Sequence, residues 1–320
     1  MGSDIQLRQC IKVGIAIGLG ISLFRFMLFE LEFFTRLTNG TPVVYIAILI
    51  VSAIALTFFK GKYPMIRGSG CPQLKAVLQD RLEMHPTTEL PLKFGSVVLL
   101  NGLGLSVGSA GPSVQIGAYI GQLFLQGKKN SAFLLISGLT AFAVLFGVPL
   151  AAVAFGIEEY RMTLKKEQIL RLLVMMTVAL SIRIVLFGTA PTLNLKISDF
   201  PVWQGTIFLL FMSILTGLIF KYGQLWFGKL YSWKPLIFLP FVLTYFFSRR
   251  MPEILGGGIS LFAFIEAQGS SLPVETALLY LFSKVVFSVV CLSSGIPAGG
   301  FLSKYNFGGI LCRFFKLFFF

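Results

Sequence analysis

The feature that most constrains this chain is a series of apolar runs that recur along its whole length and are repeatedly cut by glycine or proline. They cover residues 13–24, 43–59, 94–107, 131–157, 169–187, 202–220, 235–247 and 276–292. A continuous helix needs about 20 apolar residues to cross a bilayer. Several of these runs are shorter, and the longest, 131–157, is split by Gly147 and Pro149. Broken apolar segments persist in a membrane only where their freed backbone groups are buried in protein or line a polar cavity. The pattern therefore predicts an all-α integral membrane protein of discontinuous transmembrane helices, as channels and transporters are built. Composition excludes the soluble alternatives. Only 12% of the 320 residues are charged, 56% are hydrophobic and 33 are glycine, whereas a soluble domain carries about 25% charged residues.

The net charge of +14 would suggest nucleic acid in a soluble protein. Here the basic residues fall between apolar runs: Lys60, Lys62 and Arg67; Lys128 and Lys129; Arg161, Lys165 and Lys166; Lys221, Lys229 and Lys234. Cytoplasmic connections of membrane proteins collect Lys and Arg in this way, so lipid and not nucleic acid is the expected environment. Arg8 and Lys12 precede the first run with no small-residue cleavage site after it, which predicts a retained first membrane helix. Cys10, Cys71, Cys291 and Cys312 have no metal-like spacing, and His85 is expected in a loop. No metal or cofactor is expected. Neither a nucleophile with its base nor a pair of acids at membrane depth is evident, so the chain is not expected to be an enzyme.

Two glycine motifs repeat in order. Gly68-Ser-Gly-Cys-Pro72 is echoed by Gly256-Gly-Gly-Ile-Ser260, 188 residues later, and Gly108–Gly117 by Gly299–Gly308, 191 residues later. Related halves are common in transporters, and the boundary this implies gives a first half over 1–190 and a second over 191–320. A second half of equal length would run to roughly residue 377, so the second is expected to be incomplete.

The glycine motifs carry the chemistry. A dehydrated anion costs tens of kcal/mol in an apolar medium unless hydrogen-bond donors replace its water. Helix N-termini offer unpaired N–H groups and the positive end of the dipole. Glycine admits close approach, and proline just inside a helix start loses no hydrogen bond. Three segments have this form: Gly68–Pro72, Gly108–Pro112 and Gly295–Phe301.

On these residues the chain resembles the CLC family of chloride channels and proton/chloride antiporters. Gly68–Pro72 is similar to the family's GSGIP motif, with Cys71 for Ile. Gly108–Gly121 is similar to G(K/R)EGP and the helix after it. The stretch from Gly147 to Glu158-Glu159 resembles a later segment ending in paired glutamates, Gly256–Gly258 a GGG stretch, and Gly295–Phe301 the GxFxP segment. The resemblance implies an inverted-repeat fold, a pore within each subunit, a homodimer and chloride as the ligand. It implies anion binding by the Ser69 hydroxyl and by the backbone at Gly70, Ser109, Ala110, Gly111, Gly300 and Phe301. A bacterial plasma membrane is the expected location.

The chain departs from the family where gating is concerned. Ala110 stands at the gating glutamate, and no Asp or Glu occurs between Glu89 and Glu158. Glu159 matches the inner proton-transfer glutamate, but a relay needs both ends, so a structural turn beside Arg161 is the expected role. Arg183 and Lys284 interrupt apolar runs, as either functional cations or residues that pair or snorkel. Ser303 replaces the proline of GxFxP. Three readings follow: a passive anion conductor, a proton/chloride antiporter, and a fragment that does not transport.

Overall fold

The computed structural model describes residues 7–30, 41–125, 130–188, 202–230, 234–268 and 273–297. Among these residues helices are the regular structure and no β-strand occurs. In chain order they are α1 (Leu7–Glu30), α2 (Pro42–Lys62), α3 (Cys71–Leu78), α4 (Pro86–Gly102), α5 (Ala110–Phe124), α6 (Ser131–Phe146), α7 (Pro149–Tyr160), α8 (Lys166–Phe187), α9 (Val202–Leu230), α10 (Leu239–Arg250), α11 (Ile259–Gln268) and α12 (Val274–Ser293). The predicted break at Gly147 and Pro149 is there: Gly147 takes φ +75° to end α6, and Pro149 opens α7. The first apolar run lies within α1. Among the described residues, four stretches are long and apolar enough to cross a membrane, Leu7–Leu28, Pro42–Phe59, Lys166–Phe187 and Glu275–Ser293.

The chain divides into two compact units, the first formed by residues 1–30, 63–98 and 109–192, the second by 31–62, 99–108 and 193–320. In the first unit small residues bring helix backbones together. Gly14 and Gly18 on α1 face α8, where a Cβ added to either would stand 3.0 Å from the carbonyl oxygen of Met175 or Ala179. Numbers rise together on the two helices, so α1 and α8 run parallel. Gly117 and Gly121 on α5 face Ser137 and Ala141 on α6 with opposite numbering, so that pair is antiparallel. Both are Gly-x-x-x-Gly pairs, the spacing that lets membrane helices approach closely where no hydrophobic effect drives them together. Asn130 caps α6 by accepting the Phe133 N–H at 3.0 Å, which costs about 1 kcal/mol to remove. Helix α6 is buried from Phe133 to Leu145, and α7 folds back onto it through stacked Phe142 and Phe155 rings 4.8 Å apart.

This close packing yields a first prediction. Gly117→Leu drives a large side chain into Ser137 and Gly138 of α6, and overpacking of this kind costs about 3 kcal/mol or more. Thermal unfolding in detergent is expected to show the loss, while Gly95→Leu, which meets open space, leaves the midpoint nearly unchanged.

The second unit has its own core, in which Tyr45 and Leu49 of α2 meet Phe241 and Phe247 of α10 and Phe287 and Cys291 of α12. The segment 103–108 leaves α4 through a turn at 103–104 and is held there by polar contacts. Tyr45 donates its hydroxyl to the Leu103 carbonyl at 2.7 Å, Gly256 N–H donates to Gly104 O at 2.8 Å, and the Ser106 and Ser288 hydroxyls meet at 2.7 Å. Gly104 takes φ +89° with Leu255 beside it, a conformation open to glycine.

The sequence echo reappears in local geometry. A 3-10 turn at Pro64–Ile66, glycines of positive φ at 68 and 70, and a helix from Cys71 are matched, 188 residues on, by a 3-10 turn at Pro252–Ile254, positive φ at Gly256 and Gly258, and a helix from Ile259. Each turn is gripped by a buried lysine. Lys93 donates to Ile66 O and Gly68 O at 3.1 and 2.7 Å; Lys284 donates to Ile254 O and Gly256 O, both at 2.7 Å.

Candidate functional site

Of the three glycine-rich segments, two meet within the first unit. Ser69 sits between Gly68, φ +56°, and Gly70, φ +92°, in a turn that L-residues with side chains rarely adopt. Gly70 is the N-cap of α3, with proline in the first helical turn. A Cβ on Gly70 would also collide with the side chain of Gln115, so the position is closed to other residues on two counts. From the other side, α5 begins directly against this turn. A Cβ on Gly111 would run into the Ser69 carbonyl oxygen and stand 3.0 Å from the Ser69 Cβ.

The starts of α3 and α5 therefore converge at Ser69. Ser109 is the N-cap of α5 and its side chain makes no capping bond. The amides of the first helical turn have no intrahelical acceptor, and Pro112 has no amide to satisfy. Ser113 turns its hydroxyl back to the Ala110 carbonyl at 2.7 Å, leaving the N–H groups ahead of it as the donors of this end. Ala110 is wholly buried and brings no charge. The Lys93 ammonium, also wholly buried, lies against the same turn through its bonds to Ile66 and Gly68. Each helix start favours an anion by about 0.3–2 kcal/mol, and a buried ammonium adds the largest single charge nearby.

Glu159 lies at the end of α7. Its carbonyl accepts from Lys75 of α3 at 3.2 Å, and its side chain is half-exposed. Gly300 and Phe301, together with Ser303, lie outside the described residues. Lys284 is buried through its carbonyl bonds, and Arg183 on α8 is 3% exposed; neither snorkels to the surface. His85 is exposed ahead of α4.

Sequence reading missed Lys93, Gln115 and Glu89. Lys93 stands one residue before an apolar run and reads as a helix-end cation. The signal that could have found it is its match to Lys284, 191 residues apart, beside two glycine turns that repeat at nearly the same interval.

Interrupted apolar helices, packed through Gly-x-x-x-Gly pairs, with two helix starts and a buried ammonium meeting at a glycine turn, define an integral membrane protein of the broken-helix kind. A model of the voltage gated chloride channel family matches residues 52–320, and the chain belongs to that family. Over 291 residues it is 27% identical to the H(+)/Cl(-) exchange transporter ClcA of Salmonella paratyphi B and equally to that of Salmonella newport, covering 84% of this chain and 61% of each relative. The chain thus spans about three fifths of the length of these relatives. Its fold is that of a slow cyanobacterial Cl-/H+ antiporter, with TM-score 0.79 and 22% identity over 97% of this chain and 78% of the other. A CLC-type fluoride/proton antiporter superimposes with TM-score 0.72 and 20% identity over 93% and 78%.

Proposed function

We propose that this chain conducts chloride or a similar small anion passively, through a pore of the type its family uses, without exchange for protons. The observation that carries this reading is Ala110: the first residue of α5, wholly buried and next in the chain to Gly111, which touches Ser69. A carboxylate there would compete with the anion and carry protons; a methyl group does neither. Ser69, Gly70, Ser109, Ala110 and Gly111 bind the anion in this reading, joined by Gly300 and Phe301 from a second half-repeat, 191–320, that answers the first, 1–190. Lys284, matched to Lys93, supplies the equivalent charge. A homodimer in a bacterial plasma membrane is the assembly that the family likeness suggests.

Proton/chloride exchange is the second reading, because the relatives are named exchangers and antiporters and Glu158-Glu159 is retained. One assay separates them. Purified protein in liposomes, with the potential clamped by valinomycin, is expected to release chloride with no stoichiometric proton movement in the external medium. Chloride moving with opposed protons would replace the proposal by exchange, and absence of any flux would overturn both.

A further inference from the structure

Glu89 is a carboxylate buried to 3% exposure in the first turn of α4, and the proposed conduction makes no use of it. It accepts the His85 N–H at 2.9 Å, closing the start of its own helix, and lies within reach of the hydroxyl of Tyr119 on α5. Tyr119, wholly buried, accepts from Gln115 Nε2 at 2.8 Å. Gln115, also wholly buried, gives its other amide hydrogen to Met65 O at 2.8 Å. Its Oε1 is left with no donor among the described residues and faces Gly70. A buried acceptor without a partner is costly, and this one is aimed at the turn that presents Ser69. A line of polar contacts thus runs from a carboxylate, through a phenol, to an amide that bonds the Met65 carbonyl and faces Gly70 of the candidate anion site.

Lys93 lies four residues beyond Glu89, on the same face of α4, and grips the same turn directly. Among the described residues, the ionisable groups against Glu89 are His85 at its own helix start and Tyr119 from α5, while the Lys93 ammonium is turned to the carbonyls of Ile66 and Gly68. With Glu89 ionised, the Tyr119 O–H donates to it and the phenol oxygen is free to accept from Gln115, which keeps the amide fixed. A proton on Glu89 can donate to the Tyr119 oxygen instead, competing with Gln115, and it removes a buried negative charge from the packed face of α4 and α5. Both changes act at the Ser69 turn, and the second favours a bound anion.

We propose that Glu89 is a proton-binding site linked through Tyr119 and Gln115 to the Ser69 turn, so that its protonation tightens anion binding there. The proton equilibrates with Glu89 and is not carried across the membrane. This inference rests on the anion-site reading above, and the test separates the two. Chloride affinity is measured by calorimetry on the intact detergent-solubilised chain at about pH 5 and about pH 8, with the infrared band of a protonated carboxyl followed in the same range. Wild type is expected to bind chloride about fivefold tighter in acid, the equivalent of one hydrogen bond, with a carboxyl band that titrates. Glu89→Gln, which keeps an acceptor for His85 and Tyr119, is expected to lose that band and to bind with the tighter affinity at both pH values. Tyr119→Phe is expected to keep the band while most of the pH dependence of binding disappears. A band unaffected by Glu89→Gln, or an affinity whose pH dependence survives it, overturns the proton site. Chloride binding absent at every pH overturns the anion-site reading, while the infrared titration still decides whether Glu89 takes up a proton. Should Glu89→Gln fail to fold, Tyr119→Phe tests the link alone, and unaltered pH dependence in it overturns the proposal.

Discussion

Ala110→Glu is expected to cut chloride flux at neutral pH by about tenfold or more and to restore it on acidification. Ala110 has no exposed surface and stands at the start of α5, in the turn whose Gly111 touches Ser69. A carboxylate there reaches the same unpaired amides that an anion needs, and it is covalently present at an effective concentration no free ion matches. Above the carboxyl pKa the side chain is ionised and occupies the donors; below it the neutral form leaves them. Flux therefore rises as pH falls. Ala110→Gln keeps the bulk without the charge and separates steric block from competition: it is expected to reduce flux without pH dependence. An Ala110→Glu flux equal to wild type at every pH would show that the start of α5 does not line the path.

Lys93→Met is the second large effect, and Lys284→Met should match it. Each lysine is buried, at 0% and 1% exposure, and each donates to two carbonyls of a glycine turn at 2.7–3.1 Å. Methionine fills much of the same volume but returns neither bond. Two buried acceptors are left without donors, at about 1–3 kcal/mol each. The offset is that a buried ammonium is itself expensive, so about 2–3 kcal/mol of net destabilisation is expected at either position. Thermal unfolding in detergent reads the loss. The two differ in one respect: Lys93 borders the Ser69 turn, so its loss also weakens chloride binding, by about tenfold for one charge at close range. Arginine at position 93 should recover the affinity better than the stability, since it keeps the charge and cannot reproduce the ammonium's compact fit.

Much of the fold was legible because breakage itself is a sequence signal. Gly147 and Pro149 ended one helix and began another where the run was read as split, and the glycines at 68 and 70 occupy the positive-φ region that makes the residue necessary. The echo at 188 residues was visible as glycines and returned as a turn, two φ values and a helix start. What could not be read was who faces whom. Gly14 and Gly18, and Gly117 and Gly121, carry a recognisable spacing, but nothing in it says that one pair meets α8 in parallel and the other α6 in antiparallel. Nothing in the sequence around Lys93 and Glu89 marks either residue as buried. Their burial follows from carbonyls at 66 and 68 and a phenol at 119, groups that only the folded chain brings to α4. Within the site, Ser69 and Gly111 were singled out separately by motif; their contact is a property of the tertiary packing of α3 and α5.

The parallel run of α1 and α8 fixes a parity. Both helices start at one face of the first unit and finish at the other, so the chain between Glu30 and Lys166 must come back to the side from which it set out. Gln9 near the start of α1 bonds the Phe124 carbonyl at the end of α5, and Arg25 near its finish bonds Leu145 at the end of α6, so α5 descends and α6 rises between the same two levels. Arg8 and Lys12 on α1 and Lys165 and Lys166 at the start of α8 all belong to the level at which α1 starts. That concentration of cations assigns the level to the cytoplasm. A reporter enzyme fused ahead of α1 and an epitope inserted before α8 should therefore be sealed on the same side of an intact cell, and a label applied from outside should reach neither.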